Sequence, residues 1–118
     1  MNEYRDVLNR IVHFIEECEQ ESAHLNDDTN DELVLMMAYK AVALDLTQIG
    51  ESVNSLRKKY PEKLAAEPSV PWDDIVGLCN VLVHNYDGII REENRESLQI
   101  NLPDLKAAID RMRDREVS

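Results

Sequence analysis

The sequence predicts an all-α protein, an antiparallel bundle of four main helices with one short extra helix. Three observations favour this class. Apolar residues recur at helical spacing over long stretches, whereas no stretch alternates apolar and polar residues as a strand would. Aromatic residues make up only 5% of the chain, so the core should consist mainly of the aliphatic side chains common in helices. With 118 residues, the chain is expected to form one domain, residues 1–118.

The first helix is predicted from about Asn2 to about Ser22, because an apolar stripe runs from Tyr4 to Cys18. The same segment contains an acidic run, with glutamates at positions 16, 17, 19 and 21. A solvated face is the simplest explanation of such a run. A metal site would need further ligands that converge on it, and the sequence identifies none. We therefore predict no metal and no cofactor.

The second helix is predicted from about Asp31 to about Lys59. Thr29 and Glu32 have the spacing of a capping box at its start. Its first half, Leu33–Tyr39, is apolar on every side, unlike a helix that packs on one face only. Either this half lies at the centre of the bundle, or its outer face packs on another subunit. Both can hold, and the second alternative predicts a homodimer.

The later elements are marked by glycine and proline. Gly50 interrupts the second helix at a cost of about 1 kcal/mol relative to alanine, which close packing of another helix would offset. The chain should then form a loop from about Pro61 to Val70 with a short turn, and a new helix should begin at Pro71. Residues 92–100 look helical, and Pro103 is expected either to start or to kink the final helix.

The helix that begins at Pro71 has polar residues at its far end that an ordinary core helix does not need. Asn80 and His84 are four residues apart and share one face, and Tyr86 follows where Asp87-Gly88 should end the helix. An amide, an imidazole and a phenol therefore converge at one helix terminus. By propensity alone, His84 could instead cap the last carbonyls of the helix, and Tyr86 could have a packed ring with a hydrated hydroxyl.

These residues carry a family resemblance. The string Trp72-x-x-Ile75-x-Gly77-Leu78-x-Asn80-x-Leu82-Val83-His84-x-Tyr86 resembles the HepT-like toxins, a branch of the HEPN superfamily of small helical ribonuclease domains. The likeness extends to Gln48-Ile49-Gly50-Glu51 and to Leu102-Pro103-x-Leu105-Lys106, and so covers nearly the whole chain. The motif of the family is Arg-Asn-x-x-x-His-x-Tyr, and Cys79 stands where the arginine belongs.

The resemblance implies an endoribonuclease toxin of a prokaryotic toxin–antitoxin pair, which cuts RNA without metal in a cleft between two protomers. In that arrangement His84 is the acid and base, and Asn80 orients the histidine or the phosphate. Tyr86 is the residue to which a nucleotidyltransferase antitoxin attaches adenylyl groups. The resemblance also implies that Glu51 faces the motif helix, whereas propensity alone leaves Glu51 in an exposed polar pair with Gln48.

Cys79 leaves the enzymatic activity open, because a thiol cannot supply the positive charge of the family arginine. The loss of one charge-stabilising donor raises the barrier by roughly 3–4 kcal/mol in other enzymes. A thiol nucleophile paired with His84 has a poor geometry, since five residues along one helix correspond to about 140° of rotation. Cys79 therefore fits a buried thiol best. The alternative function is a catalytically degenerate HEPN dimer that acts as a partner-binding module.

The charge and composition of the chain restrict its partners and its location. A formal net charge of −11 argues against indiscriminate binding to a phosphate backbone, so an RNA-binding surface would have to be local or partly supplied by a partner. No apolar run reaches membrane-spanning length, and the N-terminus is polar and charged, unlike a signal peptide. The two cysteines lack the spacing of a disulfide framework. We therefore expect a cytoplasmic protein with no membrane partner.

Overall fold

The computed structural model of the chain describes residues 3–23, 32–84 and 92–117. Five helices make up nearly all of these ranges: α1 Glu3–Ala23, α2 Glu32–Lys59, α3 Pro61–Ala65, α4 Trp72–His84 and α5 Glu92–Val117. No strand occurs in the described ranges, and the predicted all-α class is confirmed. The capping threonine Thr29 and the predicted helix stop at Asp87-Gly88 lie outside the described residues.

Two of the predicted boundaries involve proline. Pro61 occupies the first turn of α3, a short helix where the sequence predicted a loop with a short turn, and its missing N–H is not needed there. By contrast, Pro103 lies inside α5, which runs without interruption, so the alternative that Pro103 starts a separate final helix is wrong. Proline removes one backbone hydrogen bond of the helix. Leu102 and Leu105 are buried on either side of that gap, and their packing on the core keeps the helix continuous.

The core is built around α2, which packs against α1 and against α4, while α5 packs against α1. The apolar stripes predicted for the first two helices are confirmed. Each fully buried aliphatic side chain contributes about 1.5–3 kcal/mol by leaving water, so these stripes are the main source of stability. The buried positions of the α2 stripe are Val42, Leu46, Ile49, Val53 and Leu56, and those of α1 include Tyr4, Leu8, Ile11, Ile15 and Cys18.

The outer face of the first half of α2 is apolar and uncovered by the described parts of the chain. Leu33, Met37 and Leu44 are 59%, 61% and 62% exposed, and their spacing places them on one face. Ala38 and Val42 are buried on the other side of the same helix. The helix is therefore central to the bundle and also apolar on its outside, as the sequence pattern indicated. The homodimer that this outer face would form stays a prediction.

By length and composition, α2 is also apolar enough to cross a membrane, which corrects the prediction that no apolar run reaches that length. The central helix of a bundle passes the same test, because it too is apolar on more than one side. The fully buried residues of α2 pack within the described core, and a carboxylic acid, Asp45, lies buried in the middle of the helix. We therefore describe α2 as a core helix.

The start of α4 is held in place by polar contacts of two buried residues, Trp72 and Glu67. The indole Nε1 of Trp72 donates hydrogen bonds to the carbonyl oxygens of Leu64, at 3.2 Å, and of Glu67, at 3.3 Å. The Glu67 carboxylate accepts hydrogen bonds from Arg111 Nε, at 3.0 Å, and from Arg115 Nη2, at 2.8 Å. The bond from Arg111 is the main reason why the pKa of Glu67 lies below its usual value. These contacts tie the α3–α4 connection to α5 and so position the motif helix.

Candidate active site

The motif helix α4 has one exposed face and one face that packs on α2. Gly77 and Asn80 are exposed, and helical spacing places His84 on the same face. Cys79 lies on the packed face, against α2. The exposed face of α4, defined by Gly77, Asn80 and the position of His84, therefore contains two of the motif positions.

Cys79, at the position of the family arginine, is 4% exposed and lies against Gly50 of α2. A Cβ atom added to residue 50 would be 3.1 Å from the Cβ of Cys79 and 3.9 Å from its Sγ. The close helix packing predicted at Gly50 is thus confirmed. Burial raises the pKa of the Cys79 thiol to about 11. At neutral pH the thiol is therefore uncharged and supplies neither a cation nor a thiolate nucleophile.

The contact between Gly50 and Cys79 predicts opposite effects for alanine at two glycines. Alanine stabilises a helix by about 1 kcal/mol relative to glycine, and Gly77→Ala should gain this amount because its Cβ would meet nothing within 4 Å. Gly50→Ala makes the same gain but forces α2 and α4 apart, which costs about 1–3 kcal/mol. Urea unfolding should therefore find Gly50→Ala less stable than Gly77→Ala by about 1–3 kcal/mol. Equal stabilities of the two variants would contradict the tight contact.

The other predicted site residues are described to different extents. Asn80 is exposed, and His84 is the last residue of α4, with its side chain outside the described residues. Tyr86 lies wholly outside them. Glu51 is exposed on α2, next to Gly50, and so lies one residue from the α2–α4 contact. No hydrogen bond joins Glu51 to the described side chains of α4, and the roles of these residues stay predictions.

One cluster of carboxyl groups was not predicted. Glu17 and Glu21 of α1 lie beside Asp45 of α2, with one oxygen of each carboxyl group within 4.8 Å of the others. The acidic run of α1 is a solvated face at Glu16 and Glu19, but Glu17 and Glu21 are half-buried. The sequence did contain a signal, because Asp45 falls within the apolar stripe of α2. A carboxyl group at a core position of a helix requires partners or a function.

The bundle and the motif on α4 together define a small helical domain of the HEPN superfamily of ribonucleases. Residues 6–112 match the family described as HepT-like, ribonuclease HepT-like. The chain belongs to this family. The match includes the exposed face of α4, the buried Cys79 and the carboxyl cluster between α1 and α2.

Two curated proteins are similar in sequence. One, named "Putative RNase MJ1380", from Methanocaldococcus jannaschii, is 39% identical over 62 residues, which are 52% of this chain and 54% of that protein. The other, named "Putative RNase TTE0752", from Caldanaerobacter subterraneus subsp. tengcongensis, is 27% identical over 107 residues, 90% of this chain and 93% of that protein. The first match thus spans about half the length of that relative, and the second spans most of it. No solved structure matches the chain at a comparable level.

Proposed function

We propose that this chain is an endoribonuclease toxin of a prokaryotic toxin–antitoxin pair, which acts as a homodimer and cuts RNA without a metal ion. One observation carries the proposal: a chain that matches the ribonuclease family over residues 6–112 presents Asn80 on the exposed face of α4, on which His84 also falls. Both relatives are named as ribonucleases, which supports RNA as the substrate.

The chemistry follows from what an imidazole can do near neutral pH. His84, as the neutral base, takes the proton of a ribose 2′-hydroxyl, whose oxygen attacks the adjacent phosphorus. The bond from phosphorus to the 5′-oxygen breaks, and the imidazolium returns a proton to that oxygen. The products are a 2′,3′-cyclic phosphate and a 5′-hydroxyl, so the reaction consumes no water and needs no metal. The side-chain amide of Asn80 either donates a hydrogen bond to a phosphate oxygen or orients the imidazole.

The homodimer is supported by the apolar outer face of α2. The large exposed side chains of that face, Leu33, Met37 and Leu44, would be covered by a second copy. Glu51 lies two turns beyond Leu44 on the same face. An interface along this face would therefore extend to the neighbourhood of Gly50, where α4 packs on α2, and would bring the motif helices of two protomers towards one cleft.

The proposed neutralisation acts through charge and bulk. A nucleotidyltransferase antitoxin would transfer adenylyl groups from a nucleoside triphosphate to the hydroxyl of Tyr86, with release of pyrophosphate. Tyr86 is two residues from His84, so each added phosphodiester places negative charge beside the cleft. Such a charge repels the RNA phosphate, and the adenosine occludes the site.

A second candidate function is a degenerate HEPN dimer that binds the partner but does not cleave. The observation in its favour is the neutral, buried thiol of Cys79 at the position of the family arginine. The net charge of −11 also opposes the approach of RNA. In this case Tyr86 would still accept adenylyl groups, whereas RNA would stay intact.

The test is cleavage of a labelled RNA by the purified protein in EDTA, beside the variants Asn80→Ala and Asn9→Ala. We expect cleavage by the parent protein, slowed on the order of a hundred-fold in Asn80→Ala through the loss of one polar contact to the reacting group. Asn9 is an exposed asparagine of α1, so Asn9→Ala should cleave like the parent. No cleavage by the parent, under conditions in which an active relative cuts the same RNA, would reject the ribonuclease. A mass gain of one or more adenylyl groups on Tyr86 would then favour the second candidate.

A further inference from the structure

The carboxyl cluster of Glu17, Glu21 and Asp45 lies between α1 and α2, whereas the motif residues lie on and after α4. Glu17 and Glu21 are four residues apart on α1 and therefore share a face. Asp45 approaches them from α2, and one oxygen of each group lies within 4.8 Å of the others. Three acidic groups from two helices thus converge on one point, which neither helix could provide alone.

The side chain of Asp45 shares hydrogen bonds with Glu21 and Glu17, but two buried oxygens of the cluster lack a partner. Asp45 is 2% exposed, and its Oδ2 has no hydrogen-bond partner, nor does the buried Oε2 of Glu21. Among the described residues no lysine, arginine or histidine forms an ion pair with any of the three groups. A buried carboxylate oxygen without a donor is unfavourable, so such groups are commonly found around a bound cation.

We propose that Glu17, Glu21 and Asp45 bind a hard divalent cation of the Ca²⁺ or Mg²⁺ class, which joins α1 to α2. The donor atoms are all carboxylate oxygens, the ligands that these ions take, and the cluster offers no nitrogen or sulfur for zinc. Calcium binds oxygen at about 2.3–2.6 Å, so two oxygens on opposite sides of the ion are about 4.6–5.2 Å apart. The observed separations of up to 4.8 Å fit around one such ion, with water completing its coordination.

A route for the cation from solvent is present. A shallow apolar groove of about 260 Å³ is lined by Glu21, Val34, Met37 and Ala38. Glu21 therefore belongs both to the groove and to the cluster. Glu17 and Glu21 are half-buried and Asp45 is buried, so the cluster is reached from solvent through its glutamates.

A proton competes with the cation for the cluster. Burial, together with the neighbouring Glu21 and Glu17, raises the pKa of Asp45 to about 9. Without a cation the Asp45 carboxyl group is therefore protonated at neutral pH. In the cation-free protein the pKa of Asp45 is higher than in the unfolded chain. The contribution of Asp45 to the free energy of unfolding therefore decreases as the pH rises from about 4 towards 9.

The experiment is a titration of the full-length, metal-stripped protein with CaCl₂, MgCl₂ and MnCl₂ in turn, followed by calorimetry and by thermal unfolding. We expect one site per chain, and a rise in Tm of about 5–10 °C at a hundred times the Kd. Asp45→Asn should abolish both signals. The asparagine has the shape of the protonated aspartic acid, so this variant should fold, which its circular dichroism would verify. Glu19→Gln removes one charge from the exposed side of α1 and should leave the cation affinity within about two-fold of the parent.

Two results would overturn the cation site. The first is a parent protein whose heat of binding and Tm do not respond to any of the three cations at pH 8. The second is a response that Asp45→Asn retains in full, which would place the bound ion elsewhere. Neither readout involves RNA, and the cleavage test is run in EDTA, so failure of the cation site and failure of the ribonuclease would be separate results.

Discussion

Replacement of His84 by alanine is expected to lower the rate of RNA cleavage by about 10²–10⁴-fold, the usual contribution of one general acid–base group. Alanine removes the only group on the exposed face of α4 that is predicted to move a proton, while Asn80 stays in place. Alanine has a high helix propensity, so the substitution should change the helix little. The rate should be measured at saturating RNA, so that the loss appears in kcat rather than in binding.

The matched control is His13→Ala. His13 is an exposed histidine of α1, so its removal changes the charge and composition of the protein as His84→Ala does, but on another helix. It should cleave RNA like the parent. Equal rates for the parent and His84→Ala would exclude the proposed base. If the parent itself is inactive, Cys79→Arg becomes the informative variant, because its cleavage would show that the missing cation alone disables the site.

The sequence predicted the helices α1, α2 and α4 and the packing of α2 because both depend on local patterns. Periodic apolar residues identify a buried stripe, and a glycine within a helix indicates close approach, as the Gly50–Cys79 contact confirmed. The continuity of α5 through Pro103 could not be predicted in this way. Whether a helix survives a proline depends on the tertiary packing of Leu102 and Leu105 beside it, and the sequence pattern does not contain that packing.

The carboxyl cluster was missed for a related reason. The acidic run of α1 has a solvated face and a half-buried face, and only the position of α2 distinguishes them. Asp45 alone, read along its own helix, is an isolated polar residue in an apolar stripe; its partners are 24 and 28 residues away in the chain. Glu67 was missed likewise, since its arginine partners lie more than 40 residues further along, at Arg111 and Arg115. The motif residues, by contrast, were found because they are close in sequence.

Charged substitutions on the outer face of α2 are expected to have the second large effect, the loss of the proposed dimer. Leu44→Glu, and more strongly the double variant Leu33→Glu with Leu44→Glu, would place unpaired carboxylates in the proposed interface. An unpaired charge buried in an interface costs about 2–5 kcal/mol, which corresponds to an increase in the dimer Kd of about 30-fold to several thousand-fold. Sedimentation or light scattering should therefore find a dimer for the parent and a monomer for the double variant at the same concentration.

Ile100→Glu provides the control for this experiment. Ile100 is 64% exposed on α5, as exposed as Leu44 at 62%, so the same substitution adds the same charge at an exposed apolar side chain of another helix. This variant should stay dimeric and should cleave RNA like the parent. The double variant should lose cleavage together with the dimer, because one protomer has only half of the proposed cleft. A double variant that is monomeric yet cleaves at the rate of the parent would show that one exposed face of α4 suffices, and the dimer would then have no part in the chemistry.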